Sequence, residues 1–127
     1  MSKINILSVD DDFINLKLVS SILKKNSHVN KVVEASNGLE ALEKLKENKC
    51  INLILLDMVM PIMDGLKFLD NLFANDEWKE IPVIVLTTDE SKKHDAFEKG
   101  VYDFILKPVR EHVLNEKIDK VVDAFFS

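Results

Sequence analysis

The sequence predicts an α/β fold in which helices cover both faces of an open parallel sheet. Three observations lead there. Short apolar runs alternate strictly with stretches of helical spacing, five of each, and that order calls for parallel βαβ units. Two of the runs, Ile51–Leu56 and Pro82–Leu86, are almost wholly apolar, as strands buried on both faces are. The six Gly and Pro residues all fall at connections: Gly38, Pro61, Gly65, Pro82, Gly100 and Pro108.

Taken in order, Ile4–Val9 is a short apolar strand, and Phe13–Lys25 is a helix with Ile14, Leu18 and Ile22 at helical spacing. Lys31–Ala35 is a weaker strand. Leu39–Glu47 follows as a helix with Leu39, Leu42 and Leu45 on one face. Ile51–Leu56 is the third strand and Leu66–Phe73 the third helix, carried by Leu66, Leu69 and Phe73. Pro82–Leu86 is the fourth strand, Ser91–Lys99 a short helix and Tyr102–Leu106 the fifth strand. Val109–Phe126 closes the chain as a helix with Val113, Leu114, Ile118, Val121, Val122 and Phe125 facing inward. No repeat or linker interrupts this pattern, so residues 1–127 read as a single domain, as the length also suggests.

Composition narrows the function classes. The chain is 46% hydrophobic and 31% charged, which fits a globular domain and excludes a disordered or collagen-like one. No apolar run approaches the roughly 18 residues of a membrane span, and the N-terminus lacks a basic-then-apolar signal pattern. A cytoplasmic protein without a membrane partner is expected. Seventeen basic against twenty-two acidic side chains give a net charge of −5, and Arg110 is the only arginine. Both features argue against direct nucleic-acid binding. Cys50 is the one cysteine, so no internal disulfide forms; it is expected to be a half-buried small hydrophobe. Met58, Met60 and Met63 are expected to pack, Trp78 to cover apolar surface, and His28, His94 and His112 to lie on the surface.

In an open parallel sheet, ligands bind beyond the carboxyl ends of the strands, where strand order reverses. After the first strand come Asp10, Asp11 and Asp12; after the third, Asp57; after the fourth, Thr87 and Thr88; after the fifth, Lys107 and Pro108. Each has an ordinary reading alone: Asp12 as a helix N-cap, Asp57 in a turn, a threonine as a cap, Lys107 as a solvated strand end. Jointly they place carboxylates from two strands, a hydroxyl and an ammonium on one rim. Clustered carboxylates repel, and a hard divalent cation relieves that repulsion. With a lysine and a threonine as further donors, the set suits a phosphoryl group beside Mg²⁺. No His or Cys cluster offers a zinc alternative.

The stretches Val9-Asp10-Asp11, Leu55-Leu56-Asp57-Met58-Val59-Met60-Pro61-Ile62-Met63-Asp64-Gly65, Pro82-Val83-Ile84-Val85-Leu86-Thr87 and Phe104-Ile105-Leu106-Lys107-Pro108 resemble those of response-regulator receiver domains, the phosphoacceptor modules of two-component signalling. The resemblance covers the whole chain. It implies a doubly wound, flavodoxin-like sheet of order 2-1-3-4-5 flanked by five helices. It implies that Asp57 takes a phosphoryl group from the phosphohistidine of a histidine kinase or histidine phosphotransfer protein. Asp10, Asp11, Asp57 and the backbone carbonyl of Val59 would hold Mg²⁺, Lys107 would pair with the phosphoryl oxygens, and Thr87 would hydrogen-bond them. Phe104 would be the aromatic switch behind Thr87, with a core aromatic as its ordinary reading, and the Lys107–Pro108 bond would be cis. The last two helices and last strand would form an output face for a downstream protein target or a phosphorylation-dependent homodimer. Beyond self-phosphorylation and self-dephosphorylation, no enzymatic activity is implied.

Three positions depart from common family choices: apolar Val59, acidic Asp89, and Thr88 where a smaller residue is usual. By the same resemblance, Val59 and Asp89 would flank the route of a hydrolytic water, and the Thr88 methyl would narrow access for small donors. Three rival readings compete with this one. A haloacid-dehalogenase-like phosphohydrolase would use Asp10 as nucleophile and Asp12 as general acid, but the chain ends soon after Lys107 and the Asp57 string goes unexplained. A flavin module would need a hydroxyl-rich loop where this chain has acids. A degenerate docking receiver would lack at least one of the acids, Thr87 or Lys107.

Overall fold

The computed structural model describes residues 3–126. Its elements are β1 (Ile4–Val9), α1 (Phe13–Lys24), β2 (Val29–Ala35), α2 (Gly38–Glu47), β3 (Leu53–Leu56), α3 (Gly65–Phe73), β4 (Val83–Thr87), α4 (Lys93–Lys99), β5 (Asp103–Leu106) and α5 (Glu111–Phe125). A 3-10 turn, Glu90–Lys92, leads into α4. All strand pairs are parallel and the order is β2-β1-β3-β4-β5, as the family resemblance implied. Strand order therefore reverses between β1 and β3, and their carboxyl ends open side by side.

Alternation along the central strands divides the core into two layers. Ile4 and Ile6 of β1, Leu53 and Leu55 of β3, and Ile84 and Leu86 of β4 pack with Val19, Ile22 and Leu23 of α1 and Leu114, Ile118, Val121 and Val122 of α5. Leu7, Val9, Ile54, Leu56, Val83 and Val85 point the other way. They meet Ala41 and Leu45 of α2, Phe68, Leu69 and Leu72 of α3, and Ala96 of α4. Burial on both faces is why β3 and β4 read as unbroken apolar runs.

Helix ends follow local chemistry. Asp12 caps α1, its side chain accepting from the backbone N–H groups of Ile14 and Asn15; Asn37 caps α2 and Asp64 caps α3 in the same manner. Gly100, at φ 112°, ends α4 in the left-handed region that glycine enters without steric cost.

Several expected faces were wrong. On α1, Ile14 and Leu18 turn to solvent, and Leu16, Val19, Ile22 and Leu23 are buried instead. The helix carries apolar residues on most of its circumference, so spacing alone admitted more than one inward face. Packing of Val19, Ile22 and Leu23 against the sheet sets the rotation, and the cap at Asp12 and a bond from Asn15 to Asp10 are compatible with it. Leu39 on α2 is exposed while Ala41 and Leu45 are buried. Phe125 on α5 is also exposed, its ring meeting Tyr102 edge-on at 5.5 Å. Cys50 is exposed, not half-buried. His28 is only partly exposed, with a buried Nδ1, while His94 and His112 lie on the surface. Met58 and Met60 are core residues, and Trp78 packs against the core from its connection.

The rotation of α1 yields a direct prediction. Leu23→Ala should cost about 2–5 kcal/mol in urea unfolding, as a buried truncation does. Ile14→Ala should stay within about 0.5 kcal/mol. Equal costs would mean that the helix sits in the other register.

Candidate functional site at the carboxyl ends of β1 and β3

Asp10 extends β1 by one residue: its backbone N–H donates to the Ala35 carbonyl at 3.0 Å. Asp57 extends β3 likewise, donating to Val9 at 2.9 Å. Neighbouring strands are about 4.8 Å apart, so the two side chains meet in the gap where strand order reverses. Both are nearly closed to solvent, Asp10 at 4% and Asp57 at 6% exposure. Exposed Asp11 joins them, and one carboxylate oxygen from each of the three lies within 4.8 Å of the others.

The compensating charge comes from the far side of the sheet. Lys107 follows β5 and is fixed by its backbone N–H, which donates to the Thr87 carbonyl at 2.8 Å. Its ammonium reaches back to Asp10 Oδ2 at 2.8 Å and lies 3.7 Å from Asp57 Oδ2. The Lys107–Pro108 bond is cis. Thr87, at the end of β4, is 1% exposed, and its Oγ1 accepts from the Asp89 backbone N–H at 3.3 Å. Thr88 is exposed. Phe104 is half-buried against the core layer that holds Val83 and Val85 of β4, with Lys93 Nζ 5.9 Å from its ring centroid.

The charge is poorly balanced at Asp57. Burial pushes its carboxyl up to about 6; Lys107 and the Val59 backbone N–H pull it down, while Asp10 and Asp11 raise it. The donor set fits Mg²⁺: it offers hard carboxylate oxygens and no sulfur or nitrogen, and a cation there would remove the repulsion that raises Asp57.

The loop after β3 shapes the rim. Gly65 N–H donates to the Met58 carbonyl at 3.0 Å, and a Cβ at Gly65 would lie 2.7 Å from Met58 Cα, so α3 starts against the loop that carries Asp57. Val59 and Ile62 are exposed, and Ile62 adopts φ 67°, a conformation β-branched residues rarely take. Sequence reasoning passed over Ile62. It also missed Asn15, whose Nδ2 donates to Asp10 Oδ2 at 2.6 Å. The signal available was a polar residue in the first turn of a helix, five positions after the first acid.

The response regulator receiver domain profile matches residues 6–119. The chain belongs to this family. It is 34% identical to the chemotaxis protein CheY1 of Helicobacter pylori over 119 residues, which span 92% of this chain and 95% of that one. To a Campylobacter jejuni CheY homologue it is 31% identical, covering 92% of this chain and 91% of the other. The structure of Vibrio cholerae CheY4 superposes with a TM-score of 0.85 at 27% identity, over 94% of this chain and 99% of that one. A putative response regulator from Chloroflexus aurantiacus gives 0.87 at 25% identity, over 96% and 99%. This receiver domain is thus a signalling module of the two-component and chemotaxis type. Among the described residues, no helix is long and apolar enough to cross a membrane.

The raised carboxyl at Asp57 makes stability depend on pH. Between the ordinary 3.8 and about 6, the folded state holds a proton that the unfolded chain has released. Stability therefore falls as pH rises through that window and stays lower above it, by at most about 3 kcal/mol. Asp57→Asn should melt higher than wild type at pH 7 in EDTA, with the gap closing near pH ~4. A gap unchanged with pH would mean that Asp57 ionises at its ordinary value.

Proposed function

We propose that this receiver domain, taken as residues 1–127, accepts a phosphoryl group on Asp57 from the phosphohistidine of a histidine kinase or histidine phosphotransfer protein. One observation carries the reading: buried Asp57 lies within 4.8 Å of two other carboxylates and 3.7 Å from an ammonium that also holds Asp10. A carboxylate that is buried, ionised and poorly paired is an available nucleophile.

In the transfer, an Asp57 oxygen attacks phosphorus, a P–O bond forms and the P–N bond of the donor breaks. Its electron pair leaves with the imidazole. The product on this chain is an acyl phosphate. Asp10, Asp11, Asp57 and the Val59 carbonyl hold Mg²⁺, which when bound offsets negative charge on the carboxylates and the phosphoryl oxygens. Lys107 pairs with those oxygens, and the Thr87 hydroxyl turns to hydrogen-bond them. Phe104, half-buried on β5 opposite Val85, follows inward. The acyl phosphate favours one of two conformers, and its influence reaches the face formed by α4, β5 and α5. That face controls a downstream protein target, and a homodimer on the same face is an alternative use. The setting is cytoplasmic, without direct contact to nucleic acid by this domain.

The phosphohydrolase reading, with Asp10 as nucleophile, is the weaker one. Asp10 Oδ2 is occupied by both Lys107 and Asn15, whereas Asp57 is 3.7 Å from its nearest cation.

Incubation with phosphoramidate and Mg²⁺ should add one phosphoryl group by intact mass. The adduct should be absent in EDTA and in Asp57→Asn, and strongly slowed in Asp10→Asn. An adduct that survives Asp57→Asn but not Asp10→Asn would select the hydrolase reading. Exposed Val59 offers no polar atom from its side chain to orient a hydrolytic water. Val59→Asn should therefore speed loss of the phosphoryl group about tenfold, the range of a single oriented hydrogen bond. An unchanged half-life would show that water is positioned elsewhere.

A further inference from the structure

Asp10 is the most fully partnered carboxylate of the site. Its Oδ1 accepts from the Asp12 backbone N–H at 2.9 Å. Its Oδ2 accepts from both Asn15 Nδ2 at 2.6 Å and Lys107 Nζ at 2.8 Å. An ionised carboxylate only accepts, so chemistry fixes which end of the Asn15 amide faces it. Asn15 is itself held: its backbone N–H donates to Asp12 Oδ1 at 3.3 Å, so the cap of α1 and the Asp10 carboxylate form one connected unit. Asparagine is a poor helix former, and its place in the first turn has a local reason in this bond.

Lys107 serves two carboxylates, and it stands 2.8 Å from Asp10 but 3.7 Å from Asp57. An ammonium that closes the 3.7 Å gap toward an oxyanion on Asp57 loosens its bond to Asp10 Oδ2. Asp10 is 4% exposed, so water has little access to Oδ2 as the ammonium turns away, and a buried oxygen that loses a donor there is costly to leave unsatisfied. The geometry points to Asn15 as a positioning residue for phosphoryl transfer: its side-chain amide stays on Asp10 Oδ2 and frees Lys107 to move to the group on Asp57. This inference rests on Asp57 being the phosphoacceptor.

The first test uses the unmodified protein. The Asn15 side-chain amide is followed by ¹⁵N NMR as Mg²⁺ and then beryllium fluoride, a stand-in for a phosphoryl group on a carboxylate, are added. The amide protons should stay hydrogen-bonded throughout. A shift to solvent-like values on adding beryllium fluoride would overturn the inference.

The second test separates rate from metal affinity. In Asn15→Leu, phosphorylation by phosphoramidate at saturating Mg²⁺ should slow about tenfold, the scale of one hydrogen bond to a charged group. Mg²⁺ affinity by calorimetry should move less than about threefold, below what losing such a bond at a ligand would produce. Asn15→Gln, which keeps the amide, should recover most of the rate. An unchanged rate, or a loss residing wholly in Mg²⁺ affinity, would refute the role. Wild type that takes up no phosphoryl group would instead defeat the phosphoacceptor reading, and this inference with it.

Discussion

Three carboxylates crowd one end of the sheet with a single ammonium between two of them, and the rest of the site depends on that imbalance. Lys107 lies between Asp10 and Asp57 and cannot neutralise both, and burial withholds the water that would otherwise help. At Asp57 burial is the larger influence and the neighbouring acids add to it, so its carboxyl rises to about 6 despite Lys107. Three carboxylate oxygens gathered this closely could hold a cation. The site's charge arrangement is unfavourable as it stands, and a cation is what would relieve it.

The fold makes this arrangement affordable through backbone geometry. Asp10 and Asp57 each continue a strand ladder for one residue, so their backbones are anchored while their side chains face each other. Lys107 is held by a bond to Thr87 across β4 and β5. The strand ends carrying the hydroxyl and the ammonium are thereby linked, and both lead toward α4 and α5. The strands between the site and those helices are packed in close core layers. At the rim, Gly65 lets α3 begin against the Asp57 loop, and exposed Val59 and Ile62 give the approach an apolar edge.

Much of this was legible in the residues. The alternation of elements, the apolar central strands and the turn residues specify parallel βαβ units, because each is a short-range pattern with one physical solution. The acids after β1 and β3, and the threonine and lysine after β4 and β5, could be marked because parallel sheets gather their functional groups at one edge. The strand order came from family resemblance; periodicity does not encode which strands are neighbours. The faces of α1, α2 and α5 were misjudged at Ile14, Leu18, Leu39 and Phe125, where several apolar positions competed and only tertiary packing chose among them. Element boundaries at β2 and β3 also shifted by two residues, to Val29 and Leu53, where the ladder with β1 begins.

The sequence by itself determined the class of fold, the acids, threonine and lysine that follow the strands and the chemistry those residue types allow, since these depend on side-chain identity and on local periodicity. Tertiary structure alone decided how the charges pair. That Lys107 lies closer to Asp10 than to Asp57, that Asn15 shares its oxygen, and that α1 turns Ile14 outward are matters of tenths of an ångström to a few ångströms between residues distant in the chain. Coulombic and hydrogen-bond energies vary steeply over those distances in a buried site, and no spacing along a sequence records them.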